Sequence, residues 1–256
     1  MDTTKAKKLW RTKRAQIQML QARGYDITDV EAVKSDLTMT RESEADFVDP
    51  ENPLSFGEFE DWYLAPPSKG ADPTLSAIYS RKNDQSIKTY VHYIPTIKNN
   101  QIGKDDIAPL LEVVDILVNS EDETLDCVIV VIDRAFSSSA RDHLEKTQGV
   151  KFQYFQLGDI HPPTHILQPL HELVSDEEKN DLLAEMPQGP SNTDILRNLP
   201  KIFEGDPVVK YYGWKAGKLV KISRRGLDGT FVEKQISYAL IVPGNPIVPK
   251  ALSKFI

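Results

Sequence analysis

Apolar positions along this chain follow two spacings, and each predicts its own kind of element. Across residues 4–23, Leu9, Ile17 and Leu20 recur near helical spacing with Trp10 beside them, and Arg23-Gly24 supplies a basic last turn and a glycine stop, so an amphipathic opening helix is expected. Thr89 to Ile94 is rich in β-formers, Cys127 to Ile132 is a continuous apolar run of the kind a buried central strand needs, and Lys151 to Leu157 is a third strand candidate. Between the first two, Asp105 to Val118 reads as a helix. Strands alternating with helix predict an α/β first domain with a central mixed sheet, spanning residues 1–158.

His161-Pro162-Pro163 marks a hinge at 159–164, because consecutive prolines stiffen the backbone and stop a helix. A small α+β domain is expected over 165–242, followed by an extension at 243–256. Ser175 with Glu178 three residues later is a capping-box pattern for a helix reaching Met186, which Pro187-Gln188-Gly189-Pro190 then breaks. Asp206-Pro207 suits a helix entrance, since the carboxylate accepts an orphan N–H and proline at the first helical position gives up no helical bond. That helix should end at Gly213. Gly217 then permits a tight turn into Lys218–Ser223, whose alternation puts Leu219 and Ser223 on one face and Val220 and Ile222 on the other, a strand partly buried on one side with Thr230 to Val242 as partner. From Glu42 to Asp72, prolines, glycines and acids predict a loop-rich insertion. Phe56, Phe59, Trp62 and Tyr63 within it offer a docking patch, although local core packing is the simpler reading.

Composition narrows the function classes. The 256 residues suit two domains, and no apolar run approaches the roughly 20 residues a membrane-spanning helix requires. Met1 to Arg14 is polar and basic, so no secretory leader is expected. Cys127 is the single cysteine, which excludes an intramolecular disulfide and a multi-cysteine zinc site. A net charge of −7 argues against gripping nucleic acid through overall positive charge, so any DNA contact must be local. Eight carboxylates and no Lys or Arg lie between Glu42 and Asp61, while Lys5, Lys7, Lys8, Arg11, Lys13 and Arg14 crowd the first helix; both are read as solvated faces.

Catalytic signals are weak. Gly213 to Lys218 mimics a phosphate loop, but the glycines are too close and Leu219 stands where Ser or Thr would bind magnesium. His161, His165 and His171 lack cysteine or ordered carboxylate partners and read as packed or hydrogen-bonded histidines rather than metal ligands. Asp133 reads as a strand terminator, and Glu177-x-Lys179 falls in the other domain, so the two do not make a nuclease site. No cofactor is expected. The loop Arg134 to Arg141 combines two arginines with Ser137, Ser138 and Ser139, which suits a phosphate backbone, yet helix capping by Ser137 or Ser138 explains the serines as well.

Three ordered blocks resemble the fifth common subunit of eukaryotic DNA-dependent RNA polymerases. Asp206-Pro207-Val208, Tyr212-Gly213 and Gly217 through Ile222 match a DPV helix, a Tyr-x-Gly turn and a Gly-x-x-Val-Lys-Ile strand. His165, Pro169 and His171 fall in a His-x-x-x-Pro-x-His spacing ahead of Leu173 and Ser175 to Lys179, and Leu9-Trp10-Arg11, Arg23-Gly24-Tyr25 and Ile27-Thr28 match the family's opening. The resemblance implies a noncatalytic subunit with an N-terminal jaw domain near downstream duplex DNA and a C-terminal assembly domain, akin to the archaeal counterpart, docked on the largest polymerase subunit.

On that resemblance His165, Pro169, Asp206, Pro207, Tyr212, Gly213, Gly217, Val220, Lys221, Ile222 and Arg224 shape the docking domain, and Arg134, Ser137, Ser138, Ser139 and Arg141 lie near the duplex. It also implies a nuclear protein, nucleolar if it serves the ribosomal-RNA polymerase. Departures from the family mark a divergent paralogue: Ser137-Ser138-Ser139 replaces Thr-Pro-Ser, Gly226 to Phe231 shortens a turn and strand, Pro187 to Asn198 is inserted, and Pro243 to Ile256 is added. The alternative is a free adaptor that docks proteins through the acidic aromatic region.

Overall fold

The computed structural model describes residues 3–32, 45–51, 53–64, 75–94, 101–147, 149–165, 168–185, 196, 198–225 and 231–244. The chain divides into two compact units, residues 1–161 and 162–256.

The first unit is a five-stranded mixed sheet in the order β1-β2-β3-β4-β5. Its strands are β1 (Tyr25–Ala32), β2 (Ala77–Arg81), β3 (Asp84–Tyr93), β4 (Thr124–Ile132) and β5 (Phe152–Gln156). β1 and β2 join antiparallel, as do β2 and β3, whereas β3, β4 and β5 run parallel. Parallel neighbours need crossovers, and two helices supply them: α3 (Lys104–Val118) between β3 and β4, and α4 (Ser138–Lys146) between β4 and β5. Both crossovers step in the same direction, so the usual right-handed connection puts both helices on one face. Ile107, Leu110, Val114 and Leu117 of α3 and Ala140 and Leu144 of α4 pack there against Tyr90, Val128, Val130 and Ile132.

The opposite face carries α1 (Thr3–Ala22). Its inward stripe includes Ile17 and Leu20, and it also buries Lys13, which is 1% exposed. The expected fully solvated basic face is thus interrupted. Lys13 Nζ donates to Leu75 O at 3.1 Å and Tyr79 Oη at 2.9 Å and lies over the Tyr79 and Tyr93 rings, which replaces the hydration a buried ammonium loses. With helices on both faces, β4 is buried throughout Cys127–Ile132, as its unbroken apolar run requires. The end of the unit is tied back to its beginning: Gly158 N–H donates to Thr12 Oγ1 at 3.0 Å, and Arg23 donates to Gln153 at 2.9 Å.

Within the region expected to be loop-rich, the described residues form a 3-10 turn at Ala45–Phe47 and a helix, α2 (Phe56–Leu64). Ser55 and Glu58 cap that helix reciprocally. Phe59 is buried edge-to-face against Phe47, so it is core, and half-buried Phe56 meets half-buried Trp10 the same way. The Trp62 and Tyr63 side chains lie outside the described residues.

The second unit is a four-stranded sheet in the order β6-β8-β9-β7, from β6 (Leu170–Leu173), β7 (Lys201–Phe203), β8 (Leu219–Arg225) and β9 (Phe231–Val242). α5 (Asp176–Glu185) follows β6, and α6 (Pro207–Tyr212) follows β7. Ser175 caps α5 by accepting from Glu178 N–H at 3.0 Å. Val209 of α6 closes a core with Val220 and Ile241, joined by Ile202, Trp214 and Ile222. The expectation that β8 is buried on one side is corrected here, because Leu219 and Val220 are 1% and 0% exposed and successive residues point to opposite faces. The face opposite α6, which carries Leu219 and Lys221, meets α5 through Lys221 and Glu178. Most of the Pro187–Asn198 insertion, the turn at 226–230 and most of the 243–256 extension lie outside the described residues.

Candidate functional site

In the second unit the sequence-predicted residues gather around one helix–turn–strand. Asp206 is the N-cap of α6, its Oδ1 accepting from Val208 N–H at 2.9 Å, and Pro207 opens the helix. At the other end Gly213 takes the left-handed conformation, φ 69°. Gly213 N–H donates to Lys210 O and Trp214 N–H to Val209 O, a Schellman closure, and Trp214 packs in the same cluster as Val209. Tyr212 stacks on Trp214 at 4.7 Å and 13°. Gly217, φ 88°, turns the chain into β8 and donates its N–H to Ile241 O at 2.9 Å.

The turn is not an anion cradle. The N–H groups of Gly213, Trp214, Ala216, Gly217 and Lys218 are all committed within the unit, Ala216 to the Glu204 carboxylate at 2.9 Å. A phosphate nest needs such donors free.

Val220 is wholly buried and shapes the surface from inside, whereas Ile222 is half-buried on the same face. Lys221 donates to Glu178 at 3.3 Å, and that hydrogen bond raises its pKa above the usual lysine range. Arg224 is exposed near the end of β8. His171 on β6 has its Nδ1 2.8 Å from Pro169 O, so this pair forms a local bond, and His165 is exposed ahead of it. Leu170 and Leu173 on β6 and Ile236 on β9 stand 42%, 43% and 38% exposed. Leu170 and Ile236 both pair with Ser223 and therefore share a face, one on each side of that buried serine, a placement that becomes visible only once the register is known.

In the first unit, Ser137 is the N-cap of α4, accepting from Ala140 N–H at 3.2 Å and lying 3.2 Å from Ser139 Oγ. Arg134, Ser138, Ser139 and Arg141 are exposed around that helix start. Asp133, just past β4, pairs with Lys5 of α1 at 3.2 Å. Among the described residues no three or more His, Cys, Asp or Glu side chains gather as a metal ion requires, and no helix is long and apolar enough to cross a membrane.

Residues 160–241, which hold the α6–β8 module, match the model of the RNA polymerase Rpb5 C-terminal domain. The chain is 41% identical over 78 residues to DNA-directed RNA polymerase subunit Rpo5 of Methanocaldococcus jannaschii, covering 88% of that protein and 30% of this chain. The chain belongs to the RNA polymerase subunit 5 family. Similarity to other subunit 5 proteins extends along most of its length. It is 25% identical to DNA-directed RNA polymerase V subunit 5A of Arabidopsis thaliana over 228 residues, 88% of this chain and 86% of that protein. It is 23% identical over 246 residues to the subunit RPABC1 of RNA polymerases I, II and III from Caenorhabditis briggsae, 94% and 99% of the two chains.

Proposed function

We propose that this chain is a noncatalytic structural subunit of a nuclear DNA-dependent RNA polymerase, docked on the largest subunit through its second unit. The observation that carries this is the match to the Methanocaldococcus subunit: 78 residues of this chain correspond to 88% of a protein named as a polymerase subunit, and residues 160–241, which hold α6 and β8, match the Rpb5 C-terminal domain model. A module that suffices as a subunit there serves as the assembly domain here. Pro207, Gly217 and Arg224 offer exposed contact points, and the exposed Leu170 and Ile236 add apolar surface of the kind interface cores use. Asp206, Gly213 and Val220 act behind them by fixing the helix, the turn and the strand.

The first unit is the jaw, and its Arg134–Arg141 segment faces downstream duplex within the assembled enzyme. Two exposed arginines and the hydroxyls of Ser138 and Ser139 suit phosphate oxygens, and Ser137 holds the helix start that presents them.

Purification of the tagged chain through a high-salt wash tests the reading. Stoichiometric retention with the two largest polymerase subunits is expected; complete release as free protein would favour the adaptor. Alanine at Ser138 and Ser139 should leave retention intact while weakening downstream-duplex crosslinking, and lost retention would show that this loop belongs to the docking surface instead.

A further inference from the structure

Helix α1 carries Lys5, Lys7, Lys8, Arg11, Lys13 and Arg14 and no acidic residue. Three of these cations are engaged. Lys13 is buried, Lys5 pairs with Asp133 at 3.2 Å, and half-buried Arg14 lies over the Trp10 ring. Lys7, Lys8 and Arg11 stand exposed at i, i+1 and i+4, and among the described residues none of them has an ion-pair partner. Like charges this close on one helix destabilise it slightly, so folding gives no reason for them.

Acids border this stripe on other elements. Glu58, Glu60 and Asp61 belong to α2, which meets α1 through Phe56 and Trp10, while Asp133 and Asp159 follow β4 and β5. Glu58 is turned back onto Ser55 and Asp133 onto Lys5, and none of the five pairs with Lys7, Lys8 or Arg11. The free positive charge is thus confined to a narrow line along the outside of one helix, which suits a polyanion whose own charge is linear.

We infer that the outer face of α1 binds the phosphate backbone of duplex DNA, as a surface separate from the Arg134–Arg141 segment, which starts a helix on the other face of the sheet. The choice of DNA rests on the polymerase reading; the surface rests on α1. Its outward side chains Thr4, Lys7, Lys8, Arg11, Gln18 and Gln21 can all donate hydrogen bonds, and they are the residue types that contact phosphate and sugar. No large apolar side chain stands among them, so the face offers nothing to a lipid surface or to the core of a protein interface. Trp10 is packed on Phe56 and gives unpaired bases no platform, which favours a duplex over a single strand.

The test uses the full chain, free in solution, with a fluorescent DNA duplex of about 20 base pairs as probe, titrated between about 50 and 200 mM salt. Three phosphates neutralised by Lys7, Lys8 and Arg11 contribute about 2.7 to the slope of log affinity against log salt, so their share of binding falls about 40-fold over that range. The triple variant Lys7→Gln, Lys8→Gln, Arg11→Gln should lose that part of the slope and bind at least ten-fold more weakly at the lower salt, with unchanged urea unfolding. It should also be retained with the polymerase through the high-salt wash; wild-type chain that binds duplex but is not retained would sink the polymerase reading and leave this one standing. Absence of duplex binding by wild type, a wild-type slope in the triple variant, or equal affinity for a single strand of the same length would overturn the inference. So would tighter binding of a polyglutamate peptide of matched charge, since the occupant would then be an acidic protein segment, or lost retention of the triple variant, which would make the face a subunit contact.

Discussion

His92 should make the first unit acid-sensitive in a way that one substitution removes. The ring is 9% exposed on β3, with Nδ1 2.6 Å from Tyr90 Oη and 3.5 Å from Ser76 Oγ, and burial lowers its pKa from 6.5 to about 4. In the unfolded chain the imidazole takes up a proton as pH falls through about 6.5, whereas the folded chain holds it neutral until about 4. The stability contribution is therefore fully present above pH 6.5 and is lost as pH falls toward 4. Each unit of difference is worth about 1.4 kcal/mol, so the linkage costs about 2 kcal/mol by pH 5 and about 3 kcal/mol by pH 4. Carboxylates add their own acid sensitivity, and the difference between wild type and His92→Gln isolates the histidine. Urea unfolding in a Trp214→Phe background, where fluorescence reports on the first unit, should give His92→Gln a lower stability at pH 7 but a shallower decline between pH 7 and 4. Identical slopes, or an imidazole that titrates near 6.5 by NMR, would refute the reasoning.

Two further outcomes follow from the second unit. At Gly217 a Cβ would meet nothing within 4 Å, so Gly217→Ala should cost only the left-handed backbone penalty, about 1–2 kcal/mol, and Gly217→Asn less; urea midpoints that rank asparagine no better than alanine would contradict this. Asp206→Ala removes the α6 cap and should destabilise the unit by about 1 kcal/mol, with Asp206→Asn close to wild type; equal loss in both variants would show that the carboxylate's charge matters more than its accepted bond.

Long elements with strong local signals were legible in the sequence. α1, α3, β4 and the Asp206–Gly213 helix could be placed because cap, stop and period agree within each segment. The short strands β6 and β7 and the acidic β1 escaped, since Lys201–Phe203 is three residues long and Asp26, Asp29 and Glu31 obscure alternation in β1. Their pairing is decided by partners far along the chain, as when β7 joins β9. α2 was hidden by the surrounding prolines and acids, although Ser55 and Glu58 form a cap pattern. At the candidate site, the turn glycines and the Asp206 cap could be read directly. The placement of exposed Leu170 and Ile236 on one face could not, because it follows only once β6, β8 and β9 are in register.

The bond from Gly158 to Thr12 has a consequence for biosynthesis. The ribosome makes the first helix early and its last anchor 146 residues later, a delay of roughly 7–30 s at about 5–20 residues per second. Throughout that interval Ile17 and Leu20 have no finished sheet to cover them. The nascent polypeptide thus carries a greasy helix without its cover until nearly the whole first unit has emerged, and chaperone capture is expected to centre on that helix.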